Sequence, residues 1–101
     1  MKLLFITCLK ECLPDVSALL KQAEIAVFSV SKTTGIRNSG EPGLLDDWFA
    51  SSAGEYDSLF LFSFTDQDKA RRAMQLIDSY NKTRQTDFPV RVFILSVESA
   101  C

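Results

Sequence analysis

Asp57-Ser58-Leu59-Phe60-Leu61-Phe62-Ser63-Phe64 is the most apolar stretch of the chain, and its alternation decides the fold. Successive side chains of a strand point to opposite faces. Phe60, Phe62 and Phe64 therefore fall on one face, and Leu59 and Leu61 on the other. A strand apolar on both faces belongs in the middle of a sheet covered on both sides. The same double pattern recurs at the two ends of the chain. Met1–Cys8 sets Leu3 and Phe5 against Leu4 and Ile6, and Val90–Val97 sets Val90, Val92 and Ile94 against Phe93, Leu95 and Val97.

Between these runs the period changes from two to that of a helix. Leu13, Val16, Leu19, Leu20 and Ala23 recur at helical spacing, with Pro14 and Asp15 suited to a first turn and an end expected near Gln22–Glu24. Ile25–Ser31 reads as a second, less buried strand. Thr65-Asp66-Gln67-Asp68 resembles a capping box with Asp68 in place of the usual Glu. It opens a helix expected to run to about Asn81, with Ala70, Ala73, Met74, Ile77 and Tyr80 as the buried stripe and Arg71, Arg72, Gln75 and Asp78 in water. The order is β-α-β-β-α-β, a ferredoxin-like α+β sandwich with a four-stranded antiparallel sheet. Two helices cover only one face of such a sheet, yet three of its strands are apolar on both. A monomer would expose an apolar patch above the few hundred Å² usual for soluble chains. A patch of about 600 Å² represents roughly 15 kcal/mol before the cost of association. The open face is therefore expected to pack against other subunits.

With 101 residues the chain is expected to form one domain, residues 1–101. A formal net charge of -2, from 11 basic and 13 acidic residues, gives no field for nucleic acid. No apolar run approaches the ~20 residues of a membrane span. The first apolar run breaks at Lys10–Glu11, too early for a signal peptide, so a cytoplasmic protein is expected. Histidine is absent, which removes every Ser-His, Cys-His and His-metal scheme. No catalytic residue and no enzymatic reaction is read here. A ferredoxin-like enzyme such as a small isomerase or monooxygenase is the least favoured reading, because histidine and a paired-acid pocket are lacking. No cofactor is assigned.

The candidate sites gather in a long insertion, residues 32–55, which holds all four glycines and the single tryptophan. Connections of that length are commonly functional or disordered, and this one is too aromatic for plain linker. Gly40-Glu41-Pro42-Gly43 is a turn signal and Leu44–Phe49 a candidate helical turn. Gly35, Arg37 and Gly40 could form an anion-binding bend, or a flexible loop with one solvated arginine. Trp48 and Phe49 are candidate partner anchors, or they tuck the loop onto its own assembly. Glu41, Asp46 and Asp47 could hold a hard cation, and are more often solvated. Cys8 and Cys12, spaced C-x-x-x-C at a strand-to-helix junction, are weak candidates for a soft metal or redox chemistry. Buried inert thiols are the commoner case. An odd count of three cysteines argues for reduced thiols.

The whole chain resembles the PII-like superfamily, trimeric ferredoxin-like signalling proteins. The resemblance is carried by MKLLFITCLKECLPDVSALLKQAEIAVFSV (1–30), by KTTGIRNSG (32–40) where the family approaches its T-loop, and by VRVFILSVES (90–99), which closes in a Val-Glu pair. It implies a homotrimer that binds a small-molecule or nucleotide effector in the clefts between subunits, at the root of the T-loop. The loop would then regulate a membrane transporter or efflux pump, and DDWFASSAGEYD (46–57) is similar to the shorter loops of branches tied to transport or metal efflux. Where PII proteins carry a phosphate-binding Gly-Lys pair, this chain reads Asp87-Phe88-Pro89-Val90-Arg91, which leaves Arg91 to supply the charge. The loop lacks the family's modified tyrosine. The alternative within the same fold is a CutA-like trimeric metal-tolerance protein resting on Cys8, Cys12 and the loop acids.

Overall fold

A computed structural model of the chain describes residues 1–34 and 58–101. Its elements are β1 (Lys2–Leu9), a 3₁₀ turn (Lys10–Cys12), α1 (Leu13–Gln22), β2 (Ser29–Thr33), β3 (Ser58–Thr65), α2 (Gln67–Arg84) and β4 (Arg91–Ser96). The strands form one sheet in the order β2-β3-β1-β4. Every neighbouring pair is antiparallel. This is the ferredoxin-like arrangement expected from the element order.

The register sorts the side chains into two layers. On the first face Ile6 of β1 lies opposite Leu61 of β3 and Val92 of β4, and Leu4 lies opposite Ser63 and Ile94. Leu4, Ile6 and Leu61 are buried there in one cluster with Val16 and Leu20 of α1 and Ala70, Ala73 and Ile77 of α2. On the second face Phe5 lies opposite Phe62 and Phe93, and Leu3 opposite Phe64 and Leu95. No described helix covers this second face. Phe5 stacks on Phe60 at 5.4 Å and meets Phe93 edge-on at 6.2 Å, while Phe62 touches both Phe60 and Phe64. Phe64 is 58% exposed and Leu95 48%.

Two elements differ from the sequence reading by more than one residue at an end. The second strand starts at Ser29 rather than Ile25 and continues through Lys32 and Thr33. The connection to β3 therefore spans 34–57 rather than 32–55. Ile25 is buried for another reason. It closes α1 in a Schellman motif: its N–H donates to the Leu20 carbonyl, the Glu24 N–H donates to the Lys21 carbonyl, and Glu24 sits at φ 63°. Glycine normally takes that left-handed position, so its absence hid the motif. The second difference is at α2, where the cap is Asp66 itself. Its Oδ1 accepts from the Lys69 N–H at 2.8 Å, and with Lys69 at the third helical position the reciprocal half of a capping box has no carboxylate. α2 also runs past Asn81 to Arg84, ending where Gln85 turns left-handed.

Candidate functional site

The strand directions bring one end of the open face together with the root of the 34–57 connection. Thr33, the last residue of β2, pairs with Ser58, the first of β3, and Ser58 pairs in turn with Leu9 at the end of β1. Two residues back along β1, Thr7 lies opposite Phe60 on one side and Arg91 on the other. By the two-residue alternation, Thr33, Ser58, Thr7 and Arg91 all sit on the aromatic face. They form a polar border at one end of a surface whose centre is aromatic and whose β2 edge carries Ser29 and Ser31. Thr7 and Ser58 are buried, and Thr33 and Arg91 are half-buried.

Arg91 owes its place to a clamp that the sequence does not advertise. Asn81 of α2 donates through Nδ2 to the Val90 carbonyl at 2.7 Å and accepts the Val90 N–H on Oδ1 at 3.0 Å. One amide side chain thus satisfies both backbone groups of the residue before Arg91, as a neighbouring strand would. Val90 is buried beneath it. The backbone at the start of β4, just before Arg91, is thereby fixed to the end of α2.

Among the sequence-predicted site residues, the described structure therefore holds Arg91 at the loop-root end of the sheet. Gly35, Arg37, Gly40, Trp48 and Phe49 lie outside the described residues, as do Glu41, Asp46 and Asp47.

Cys8 and Cys12 lie elsewhere. Cys8 shares the helix-covered face with Leu59, its partner on β3. Cys12 precedes α1, and both are buried. Burial pushes the Cys8 thiol up to about 12, and the nearby Cys12 adds to the shift. A protonated thiol is the opposite of what a soft metal or a redox nucleophile requires. Among the described residues no three His, Cys, Asp or Glu side chains gather to hold a metal. Cys101 is exposed. Ellman's reagent at pH 8 is expected to titrate one thiol rapidly in the native protein and all three after denaturation. Three fast-reacting thiols in the native state would contradict the burial.

On the helix layer a polar cluster ties the start of α1 to the end of α2. Tyr80 donates from its hydroxyl to Asp15 Oδ2 at 2.8 Å. Arg84 donates from Nη1 to the Tyr80 hydroxyl at 2.7 Å and lies 5.4 Å over its ring. Burial, and then the bond to Asp15, push the Tyr80 phenol up to about 12, from an ordinary value near 10. Because the folded value lies above the unfolded one, the stabilisation is complete below pH ~10 and is lost as pH rises toward ~12. Melting temperature is expected to fall across that interval, and to fall less steeply in Tyr80→Phe. Parallel curves for the two proteins would remove the tyrosine from the account.

Among the described residues no helix is long and apolar enough to cross a membrane. No family model matches the sequence. No curated protein matches it either. Solved structures do. A candidate PII-like signalling protein from Thermus thermophilus superposes with a TM-score of 0.66 at 14% identity, over 95% of this chain and 85% of the other. CPII from Thiomonas intermedia K12, solved bound to ADP, AMP and acetate, superposes with a TM-score of 0.68 at 9% identity, over 99% of this chain and 88% of the other. At these identities the likeness establishes the fold, which is that of the PII-like signalling proteins.

Proposed function

We propose that this chain is a small PII-like regulatory protein, a binding module and not an enzyme, acting in the cytoplasm. Three copies pack their open sheet faces around a common axis. An anionic small ligand of the nucleotide class binds where the subunits meet, beside the loop root and Arg91. The 34–57 connection then carries the signal to a partner, for which a membrane transporter or efflux system is the reading the resemblance favours.

One observation carries this proposal. The aromatic face ends in a polar border at the loop root, with Arg91 in it. The same fold, over 99% of this chain, belongs to a protein solved with ADP and AMP. An apolar surface of this breadth calls for a second protein surface. A guanidinium at its edge supplies a donor fork matched to phosphate or carboxylate.

The test joins sedimentation equilibrium with calorimetric titration of ADP and AMP. A trimer that binds either nucleotide saturably, with affinity reduced in Arg91→Ala, supports the reading. A single-subunit species at micromolar concentration would overturn the assembly, and a trimer that binds neither nucleotide would overturn the ligand class.

A further inference from the structure

The outer side of α1 borders a groove that neither the core nor the loop root accounts for. Pro14, Ser17, Ala18 and Lys21 form one wall, and Ile25, Ala26 and Phe28, on the segment leading into β2, form the other. The spacing of the first four places them on one stripe of the helix. It is not the stripe that meets the core, where Val16 and Leu20 are buried. Ile25 is buried, Ser17 and Phe28 are half-buried, and the other four are exposed, so the groove is open to solvent. Its volume of about 450 Å³ lies in the range of small-ligand sites, roughly 300–1,000 Å³.

The groove is elongated and its chemistry differs from end to end. The chain reverses between Gln22 and Ile25 through the Schellman motif, so Lys21 and Ile25 share the turn end, and Pro14 and Phe28 the other. From Pro14 to Lys21 the helix rises about 10 Å, and the chain from Ile25 to Phe28 reaches at most about 10 Å. The walls are thus two rails of similar length. Pro14, Ala18, Ile25, Ala26 and Phe28 make them mostly apolar. Ser17 and Lys21 stand one helical turn apart on the same wall. Among the described residues neither side chain has a hydrogen bond or ion pair. The carbonyls that end α1 are already engaged, since Leu19, Leu20 and Lys21 accept from Ala23, Ile25 and Glu24. Glu24 is exposed and does not line the groove. Among the described lining residues, Lys21 alone is charged.

The geometry points to a second ligand site: the groove takes a linear monocarboxylate of the medium-chain fatty-acid class, with its carboxylate at Lys21 and Ser17 and its hydrocarbon tail running toward Pro14 and Phe28. The lysine ammonium and the serine hydroxyl are both donors, which suits one carboxylate. The apolar rails suit an unbranched tail better than a second polar end. The site flanks β2 on the helix-covered side, whereas Arg91 belongs to β4 at the opposite edge of the sheet. The inference therefore goes beyond the regulatory reading and does not depend on it.

Octanoate below its micellar concentration is the probe, titrated calorimetrically into the full chain, with 1-octanol and acetate as controls. Wild type is expected to bind octanoate saturably, at least threefold more tightly than octanol, and to show no saturable binding of acetate. Lys21→Gln should weaken octanoate at least threefold and leave octanol unchanged, which assigns the charge. Ala18→Trp, which fills the groove from an exposed helix position, should weaken both at least tenfold. Both substitutions are on the surface, so both variants are expected to melt within a few degrees of wild type. Octanoate binding that Ala18→Trp leaves unchanged would put the ligand elsewhere and overturn the inference. So would equal affinity for octanol, absence of saturable binding to wild type, or displacement of octanoate by ADP, which would move it to the nucleotide cleft proposed above.

Discussion

Phe62→Asp is expected to leave the protein as folded single subunits. Phe62 sits on an interior strand, opposite Phe5 on β1, with Phe60 at 6.2 Å and Phe64 at 6.3 Å on the same uncovered face. A carboxylate there is half in water in the isolated chain, so the fold tolerates it. In an assembly built on this face, the charge would lose its water without gaining a partner, a penalty of several kcal/mol. The contact would also lose the ~150–250 Å² that an aromatic side chain buries. Together these should raise the dissociation constant at least a hundredfold, or about 3 kcal/mol. Sedimentation equilibrium with far-ultraviolet circular dichroism checks both halves. An unchanged mass would mean that another surface holds the subunits, and a lost helical spectrum would mean that this face supports the fold itself.

One residue earlier the opposite outcome is expected. Leu61 is fully buried, between Ile6 of β1 and Val30 of β2 on the helix-covered side. Leu61→Ala removes methyl groups at the centre of the packed layer, where strands and helices hold the walls apart. Such substitutions cost roughly 3–5 kcal/mol when the surroundings relax little. Against total stabilities of ~5–15 kcal/mol, that is a large fraction. Urea unfolding of the variant should show a strongly lowered midpoint with an unchanged slope. A change below ~1 kcal/mol would mean that the site collapses around the gap. Adjacent positions on one strand are thus expected to separate two properties, with Leu61 affecting whether the chain folds and Phe62 whether folded chains associate.

The sorting of β3 into two faces was legible in the sequence, because a period of two needs no tertiary information. The alternation of Leu59 and Leu61 against Phe60, Phe62 and Phe64 placed β3 in the interior of the sheet, and Leu3-Leu4-Phe5-Ile6 did the same for β1. β2 was harder to place. Ile25 is apolar and follows a helix, which suits a strand as well as a Schellman cap. Only the left-handed backbone of Glu24 distinguishes the two, and its sequence lacks the usual glycine. The length of α2 was underestimated because Lys82 and Arg84 look like a polar connector. In the fold, Arg84 reaches Tyr80 and Asp15, and Lys82 pairs with Asp78 at 3.0 Å.

The candidate site was legible in its charge and hidden in its scaffold. Arg91 stood out only through the family resemblance, at the place of the Gly-Lys pair. Nothing local marked Asn81, whose amide reaches across nine residues to seat Val90. Its signal in the sequence is that of any helix-surface amide. Ser58 was hidden differently. A serine at the end of an apolar strand looks like a boundary residue, and only the structure shows that it is buried.

Thr33 and Ser58 are a rung of the same ladder, so the chain leaves the sheet and returns to it across a single strand spacing. The frame thereby sets no required length for what lies between. Doubling the length of a flexible closure costs only ~0.6 kcal/mol. Lengthening, trimming or exchanging the intervening residues is therefore expected to leave the Thr33–Ser58 rung geometrically possible. A two-residue reverse turn grafted at this rung is expected to close the sheet as a minimal scaffold.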